Sequence, residues 1–180
     1  GMQAVQGAVN AVNIKNRTQV PEYSTVSSSA SPIKPSGICG TGVISAISQV
    51  CRTSVITPGG RFNDAEGIPA LQTAPDGHLH YIIVPESMAA GGSAVSISQK
   101  DIRAVQLGKA ALMTGITFLL RQAGVDRVKK IIIAGALGTH MDPGDMLALG
   151  MIPKMDADRM TAAGNLAGTC AVMVLCDPGL

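Results

Sequence analysis

The chain has 180 residues, of which 46% are hydrophobic and 14% are charged, so its length and composition suit one compact domain with a sizeable core. Its 14 basic and 12 acidic residues are scattered and leave a formal net charge of +2. This balance argues against a nucleic-acid partner, since such proteins concentrate positive charge on one surface. No segment approaches the roughly 20 consecutive apolar residues that cross a bilayer, and the start lacks a signal-peptide pattern, so we expect a cytoplasmic protein without membrane contact.

Four cysteines bear on the compartment and on metal content. They lie at positions 39, 51, 170 and 176, a spacing that fits neither a zinc-binding pair nor an iron–sulfur cluster. We therefore predict reduced thiols that act as small apolar side chains, and no metal site. A bridge between Cys170 and Cys176 is left open.

The first part of the chain predicts a small sheet followed by a helix. Residues 2–14 and 18–29 are rich in small apolar and β-branched side chains, which favours two strands of a hairpin. The glycine-rich residues 37–42 then form a turn, and apolar residues recur after it at helical spacing. Residues 57–77 are rich in Pro, Gly, Asn and Asp, and we predict that they form an irregular surface excursion.

The middle of the chain predicts two short strands and one long helix. Residues 79–84 and 94–98 favour strands. Ser98 and Asp101 have the spacing of a capping box, and a broad apolar face continues from there until Gly124 ends the helix.

The last part of the chain predicts a buried strand and two more helices. Residues 131–134 are a continuous apolar run, which indicates a strand buried on both faces. Asp142 and Pro143 begin a short helix that Gly150 ends, and a last helix follows Asn165.

The turn Gly135-Ala136-Leu137-Gly138 directly after the apolar strand is the strongest candidate for a binding site. Ligands of parallel α/β sheets bind at the carboxyl ends of strands, and glycines there let the backbone approach a flat base or a sugar. The pattern suits adenosine. An ordinary tight turn explains the glycines equally well, so both interpretations stay open at this point.

Other candidate residues have a plain structural alternative. Gln106 and Lys109 share one edge of the long helix, where a solvated polar edge is the usual explanation. Residues 37–42 are not a P-loop, because no Gly-Lys-Ser or Gly-Lys-Thr follows. Their amides could bind an anion at the start of a helix. Close packing of that helix against the sheet also explains the glycines, and it is the favoured interpretation. His78 and His80 lack a third metal ligand at hand, and His140 follows the candidate turn.

Four blocks of sequence occur in a fixed order. They are residues 1–4 with 7–8, residues 37–42 with 60–62, residues 101–103 to 115–116, and residues 133–138 with Gly150, Pro153 and residues 164–165. Taken together, they are similar to one family, the carboxy-terminal part of the reductive activators of corrinoid proteins. The resemblance covers nearly the whole chain. The turn of the family usually reads Gly-Gly-Phe-Gly, so Ala136 and Leu137 are departures in this sequence.

The resemblance implies a fold and a cofactor. It implies an α/β, RNase H-like lobe of the actin, sugar-kinase and heat-shock-chaperone superfamily, with a mixed sheet and flanking helices, in which two lobes hold ATP and magnesium. By this analogy Gly135, Ala136, Leu137 and Gly138 form the adenosine turn, and Gln106 and Lys109 face the adenine and the ribose. We expect residues 1–180 to be one such lobe, the carboxy-terminal part of a larger protein.

The resemblance also implies partners and an activity of the parent protein. The parent would use ATP to drive an electron from an iron–sulfur cluster onto corrinoid cobalt, returning Co(II) to Co(I), and so serve methyl transfer by a corrinoid protein. The chain lacks the Asp-x-Gly-Thr phosphate motif of such lobes. We therefore expect no catalytic residue and no activity in this chain without the missing amino-terminal lobe and the ferredoxin-like domain.

Two alternatives compete with this interpretation. The lobe could belong to an activator of a radical dehydratase or to a kinase-like ATPase. It could also be a module that docks the corrinoid protein or forms a homodimer without binding nucleotide, with residues 57–77 as the docking candidate.

Overall fold

The computed structural model describes residues 2–27, 33–63, 67–135, 138 and 140–176. Its strands are Ala8–Asn13 (β1), Glu22–Thr25 (β2), Gly37–Ile38 (β3), Leu71–Thr73 (β4), Leu79–Val84 (β5), Val95–Ser98 (β6), Ile131–Ile133 (β7) and Met160–Ala162 (β8). Its helices are Gly40–Arg52 (α1), Gln99–Gln122 (α2), Pro143–Leu149 (α3) and Leu166–Cys176 (α4), with single 3₁₀ turns at Glu86–Met88 and Ala157–Arg159.

The strands form three small sheets. In the first, β1 pairs antiparallel with β2 and parallel with β3, which makes the sheet mixed. In the second, β4, β5 and β6 are antiparallel neighbours, and in the third β7 and β8 are parallel. The predicted hairpin near the start is confirmed, although its strands are shorter than predicted, and residues 28–32 of that region lie outside the described residues.

Helix α1 packs on β1 and joins the first sheet to the main core. The hydroxyl of Ser45 accepts a hydrogen bond from the amide of Val12 and donates one to the carbonyl of Val12, both at 3.2 Å. A β-carbon on Gly42 would overlap the carbonyl of Val9, so the helix approaches the strand as closely as glycine allows. Close packing, the explanation favoured from the sequence, therefore accounts for this glycine.

Residues 57–77 are not the irregular excursion that their composition predicted. Phe62, Ile68 and Ala70 are buried in the main core, and β4 pairs with β5. The turns expected from the composition are observed at residues 57–60 and 74–77, the two ends of the segment, where backbone hydrogen bonds close two tight turns. The prediction was wrong in between because the apolar residues of the segment are anchored by neighbours distant in the sequence.

Helix α2 begins at the predicted capping box. The hydroxyl of Ser98 accepts from the amide of Asp101 at 3.3 Å, and a carboxylate oxygen of Asp101 accepts from the amide of Ser98 at 2.8 Å. Most of the apolar face of this helix is not buried, and Ile102 is its only buried residue. Leu107 and Phe118 are 74% and 60% exposed, since the helix extends past the sheets that cover its first turns.

The strand β7 is also less buried than predicted. Ile132 is 62% exposed, while Ile131 and Ile133 pack in a second, smaller core with Met146 and other side chains. The side chains of Ile131 and Ile133 therefore lie on the covered face of β7, and that of Ile132 lies on the uncovered face, so the strand is buried on one face only.

The two carboxy-terminal helices match their predictions. Asp142 caps α3, with its carboxylate accepting from the amide of Asp145 at 3.0 Å, and Gly150 ends the helix in a left-handed conformation with φ of 66°. Helix α4 follows Asn165, whose side-chain oxygen accepts from the amide of Gly168. None of the described helices is both long enough and apolar enough to cross a membrane.

Candidate functional site

A cavity of about 690 Å³ opens beside the start of α1. Its walls come from residues 2–4, Asn10 on β1, residues 25–27 after β2, residues 39–41 at the start of α1, and His140. The cavity therefore joins the glycine-rich turn at residues 37–42 to the segment that follows the candidate adenosine turn. Sequence spacing alone did not predict this proximity.

The start of α1 gives the cavity a favourable potential for an anion. Cys39 at the helix start makes no capping hydrogen bond through its side chain, and the first turn of the helix has no acidic residue. The thiol of Cys39 instead contacts the hydroxyl of Thr41, with sulfur and oxygen 3.2 Å apart. Among the described residues that line the cavity, none is Asp, Glu, Lys or Arg. Uncapped amides at a helix start favour negative charge.

The glycines of the turn after β7 are required by its conformation and packing. Gly135 has φ of 99°, and its amide donates to the carbonyl of Gly164 at 2.8 Å. A β-carbon on Gly138 would overlap the side chain of Ile133. Ala136 and Leu137 lie outside the described residues, so the adenosine turn remains a prediction.

Gln106 lies against the turn at residues 57–60. Its side-chain amide donates to the carbonyl of Gly59 at 3.4 Å, and its side-chain oxygen accepts from Arg103 at 2.6 Å. Gln99 also holds this turn, donating to the carbonyl of Gly60 at 2.6 Å. The position expected to face adenine thus lies beside a backbone turn that the sequence did not associate with it.

Lys109 lies in a groove of about 350 Å³ between α1 and α2 that Gly40 also borders. Its ammonium donates to the carbonyl of Leu149, the last residue of α3, at 2.8 Å. Gly40 borders both this groove and the larger cavity. The contacts therefore give Gln106 and Lys109 different neighbours, and they bring Lys109 near the cavity through Gly40.

The histidines of β5 and its preceding turn form a separate polar cluster. One ring nitrogen of His80 lies 3.2 Å from the carboxylate of Asp76, and the other lies 3.0 Å from the hydroxyl of Ser96. Hydrogen bonds from the amide of His78 and from the His80 ring lower the pKa of Asp76. Both His80 nitrogens are occupied, and the described part of the chain contains no group of three side chains suited to a metal ion.

Tyr81 and the cysteines complete the list of reactive side chains. Burial raises the pKa of Tyr81 to about 12, which keeps its hydroxyl neutral throughout the physiological range. All four cysteines are free. Cys39 is buried, but Cys51, Cys170 and Cys176 are exposed, so the prediction of thiols that act as small, buried apolar side chains is wrong for these three.

Comparison with known proteins gives consistent results in sequence and structure. Residues 1–180 match the family described as "C-terminal domain of RACo the ASKHA domain". The curated protein "Corrinoid activation enzyme RamQ" from Eubacterium limosum is 31% identical over 183 residues, which cover 97% of this chain and 30% of that protein. A solved "Reductive activator for corrinoid,iron-sulfur protein" superposes with a TM-score of 0.82 at 26% identity, over 92% of this chain and 26% of that one.

The comparisons confirm the expected RNase H-like fold of the actin, sugar-kinase and heat-shock-chaperone superfamily. They also confirm the resemblance to activators of corrinoid proteins. The chain spans under a third of the length of both relatives.

Proposed function

Because this chain belongs to the family of the C-terminal ASKHA domain of RACo, we propose that it is the nucleotide-binding lobe of an ATP-dependent reductive activator of a corrinoid protein. In this proposal the parent protein returns corrinoid cobalt from Co(II) to Co(I) in the cytoplasm. The chain supplies part of the ATP site, and a second lobe completes it. An iron–sulfur cluster belongs to a ferredoxin-like domain of the parent rather than to this chain.

The cavity beside the start of α1 is the observation that carries the proposal. Its volume of about 690 Å³ suits a nucleotide, since ligand pockets usually enclose some 300 to 1,000 Å³. The uncapped start of α1 suits phosphate, and His140 connects the cavity to the glycine turn proposed for adenosine. Gly135, Ala136, Leu137, Gly138, Gln106 and Lys109 stay the proposed nucleotide contacts. The described ones among them do not line this cavity, so a nucleotide bound there would have to extend beyond its walls to reach them.

Magnesium fits this lobe only as part of a shared site. The described residues offer no cluster of three metal-ligating side chains, and Mg²⁺ in nucleotide sites is commonly held by phosphates with one or two carboxylates. We assign the phosphates and the second lobe as the source of its ligands. The metal would neutralise phosphate charge when it is bound.

The proposal is tested by calorimetric titration with ATP and with ADP, each with magnesium, on the chain alone and on the full-length protein that contains it. Gly135→Val is compared with Gly77→Val, because both glycines have positive φ and open space around a would-be β-carbon. The backbone strain is therefore matched between the two variants. We expect nucleotide binding to be lost in Gly135→Val and kept in Gly77→Val. Equal binding by both, in the full-length protein, would contradict the assignment of the glycine turn.

A docking or dimerisation module is the second candidate, and exposed apolar side chains favour it. Leu107 and Phe118 on α2 and Leu175 on α4 are each at least 60% exposed. Apolar side chains that are exposed in this way would form an interaction surface where they make one contiguous patch. Analytical ultracentrifugation of the chain, alone and with a corrinoid protein, tests this candidate. If the chain sediments as a monomer by itself and does not co-sediment with the corrinoid protein, the candidate is excluded.

A further inference from the structure

His140 occupies a distinctive position at the nucleotide cavity. It follows Gly138 by two residues and precedes Asp142, which caps α3, by two residues. It lines the same cavity as Gly40 and Thr41 at the start of α1. A ligand that reached from the glycine turn to the start of α1 would therefore pass His140.

His140 is the one lining residue, among those the structure describes, that can gain a positive charge. The only other titratable group in the wall is the thiol of Cys39, which can gain negative charge only. The remaining wall consists of uncharged side chains and backbone. A protonated imidazole would thus be the strongest electrostatic feature of the cavity.

The charged side chains on the elements next to His140 form hydrogen bonds or ion pairs with groups other than His140. The carboxylate of Asp142 accepts from the amide of Asp145 at 3.0 Å. Asp145 lies 3.8 Å from the guanidinium of Arg52, which also donates to the carbonyl of Gly144 at 2.7 Å. Lys109 is bonded to the end of α3. These charged side chains therefore have partners at α3, and none of them lines the cavity.

We propose that His140 recognises the anionic phosphate end of the nucleotide bound in this cavity, and that it does so as the imidazolium. This inference rests on the proposed nucleotide-binding function. A hydrogen bond from a charged donor to phosphate is about twice as strong as a neutral one. A bound anion favours the protonated imidazole over the neutral one, so nucleotide affinity rises as the pH falls.

The test compares ADP and adenosine binding at about pH 6 and about pH 8 in the full-length protein, by calorimetry. Three variants are measured beside the unchanged protein: His140→Gln, His140→Lys and His78→Gln. Gln removes the charge, Lys keeps it at both pH values, and His78 is an exposed histidine of a different cavity. ADP itself takes up protons in this range, so the quantity compared is the difference between each variant and the unchanged protein.

We expect His140→Gln to weaken ADP binding about tenfold at the lower pH and far less at the higher pH, as for one lost charged hydrogen bond. Adenosine binding should not change, because adenosine has no phosphate. His140→Lys should bind ADP well at both pH values, and His78→Gln should match the unchanged protein. Rescue by Lys would show that charge, rather than the packing of an imidazole, is required.

Two results would overturn the inference. One is a His140→Gln variant whose ADP affinity parallels that of the unchanged protein at both pH values. The other is a loss of adenosine binding equal to the loss of ADP binding, which would make His140 a structural residue. Failure of the proposed function looks different: the unchanged protein would then bind neither ADP nor adenosine at either pH.

Discussion

The side chain of Gln106 fills the space into which a β-carbon on Gly60 would project. Although the two residues are far apart in sequence, Gln106 also donates a hydrogen bond to the carbonyl of Gly59, the neighbour of Gly60. The φ of Gly60 is 75°. The turn at residues 57–60 is therefore shaped to receive α2. A substitution of either residue should therefore alter the packing of the other.

Gly60→Ala should destabilise the protein by about 2–3 kcal/mol, through backbone strain and displacement of Gln106. Gly77→Ala is the matched control, because Gly77 also has positive φ but has open space around it. We expect that control to lose only about 1 kcal/mol. Urea unfolding measures both values, and equal losses would show that the contact with Gln106 carries no stability.

Gly42→Ala and Gly108→Ala should have opposite effects on stability, although both glycines lie in helices. A β-carbon at Gly42 overlaps the backbone of Val9, which cannot rotate away, so we expect a loss on the order of 3 kcal/mol. The space around Gly108 is open. Alanine is the better helix former there, and we expect a gain of about 0.5–1 kcal/mol. Thermal unfolding distinguishes the two, and a stable Gly42→Ala variant would contradict the close approach of α1 to β1.

The carboxylate of Asp76, which accepts hydrogen bonds from the amide of His78 and from the ring of His80, should make stability depend on pH in the acid range. The pKa of Asp76 in the folded protein is below its ordinary value of 3.8, so the unfolded state binds the proton more readily. The contribution is present above that ordinary value and is lost as the pH falls through the lower, folded pKa. Asp76→Asn should flatten this part of the stability profile. Urea midpoints measured at several pH values between about 2.5 and 5 test it, with Asp158→Asn as the control on an exposed carboxylate.

Polar substitutions on the exposed apolar faces should cost little stability. Leu107 and Leu175 are 74% and 84% exposed, so Leu107→Ser and Leu175→Ser should change the free energy of unfolding by no more than about 0.5 kcal/mol. Ile102→Ser is the buried comparison on the same helix as Leu107, and it should cost several times as much. A large loss in Leu107→Ser would mean that this face is covered in solution, which sedimentation would reveal as self-association.

Local signals in the sequence predicted helix boundaries well, while burial was predicted poorly. The capping box of Ser98 and the start of α3 at Asp142 depend on residues within one turn, and both are observed. The exposure of Ile132 depends on whether another element packs on that face of β7, which no local pattern contains. Burial of Phe62 likewise depends on core residues distant in the sequence.

For the candidate site, too, the sequence predicted local features and missed those that depend on tertiary packing. The sequence predicted a glycine turn after the strand, and Gly135 has the positive φ that such a turn can require. The contact of Gly138 with the side chain of Ile133 had no signal in the sequence. The cavity that joins His140 to Thr41 arises from tertiary packing and had no sequence signal. The neighbours of Gln106 and Lys109 were equally hidden, since their partners are backbone carbonyls, which carry no residue identity.

Helix α3 is fastened at both of its ends by longer helices. Arg52, the last residue of α1, donates to the carbonyl of Gly144 at its start, and Lys109 of α2 donates to the carbonyl of Leu149 at its end. The length of α3 therefore sets the spacing between those two anchor points. Any motion that separates α1 from α2 has to break one of these hydrogen bonds or move α3 as well. This short helix therefore restrains the distance between the two walls of the groove beside Gly40.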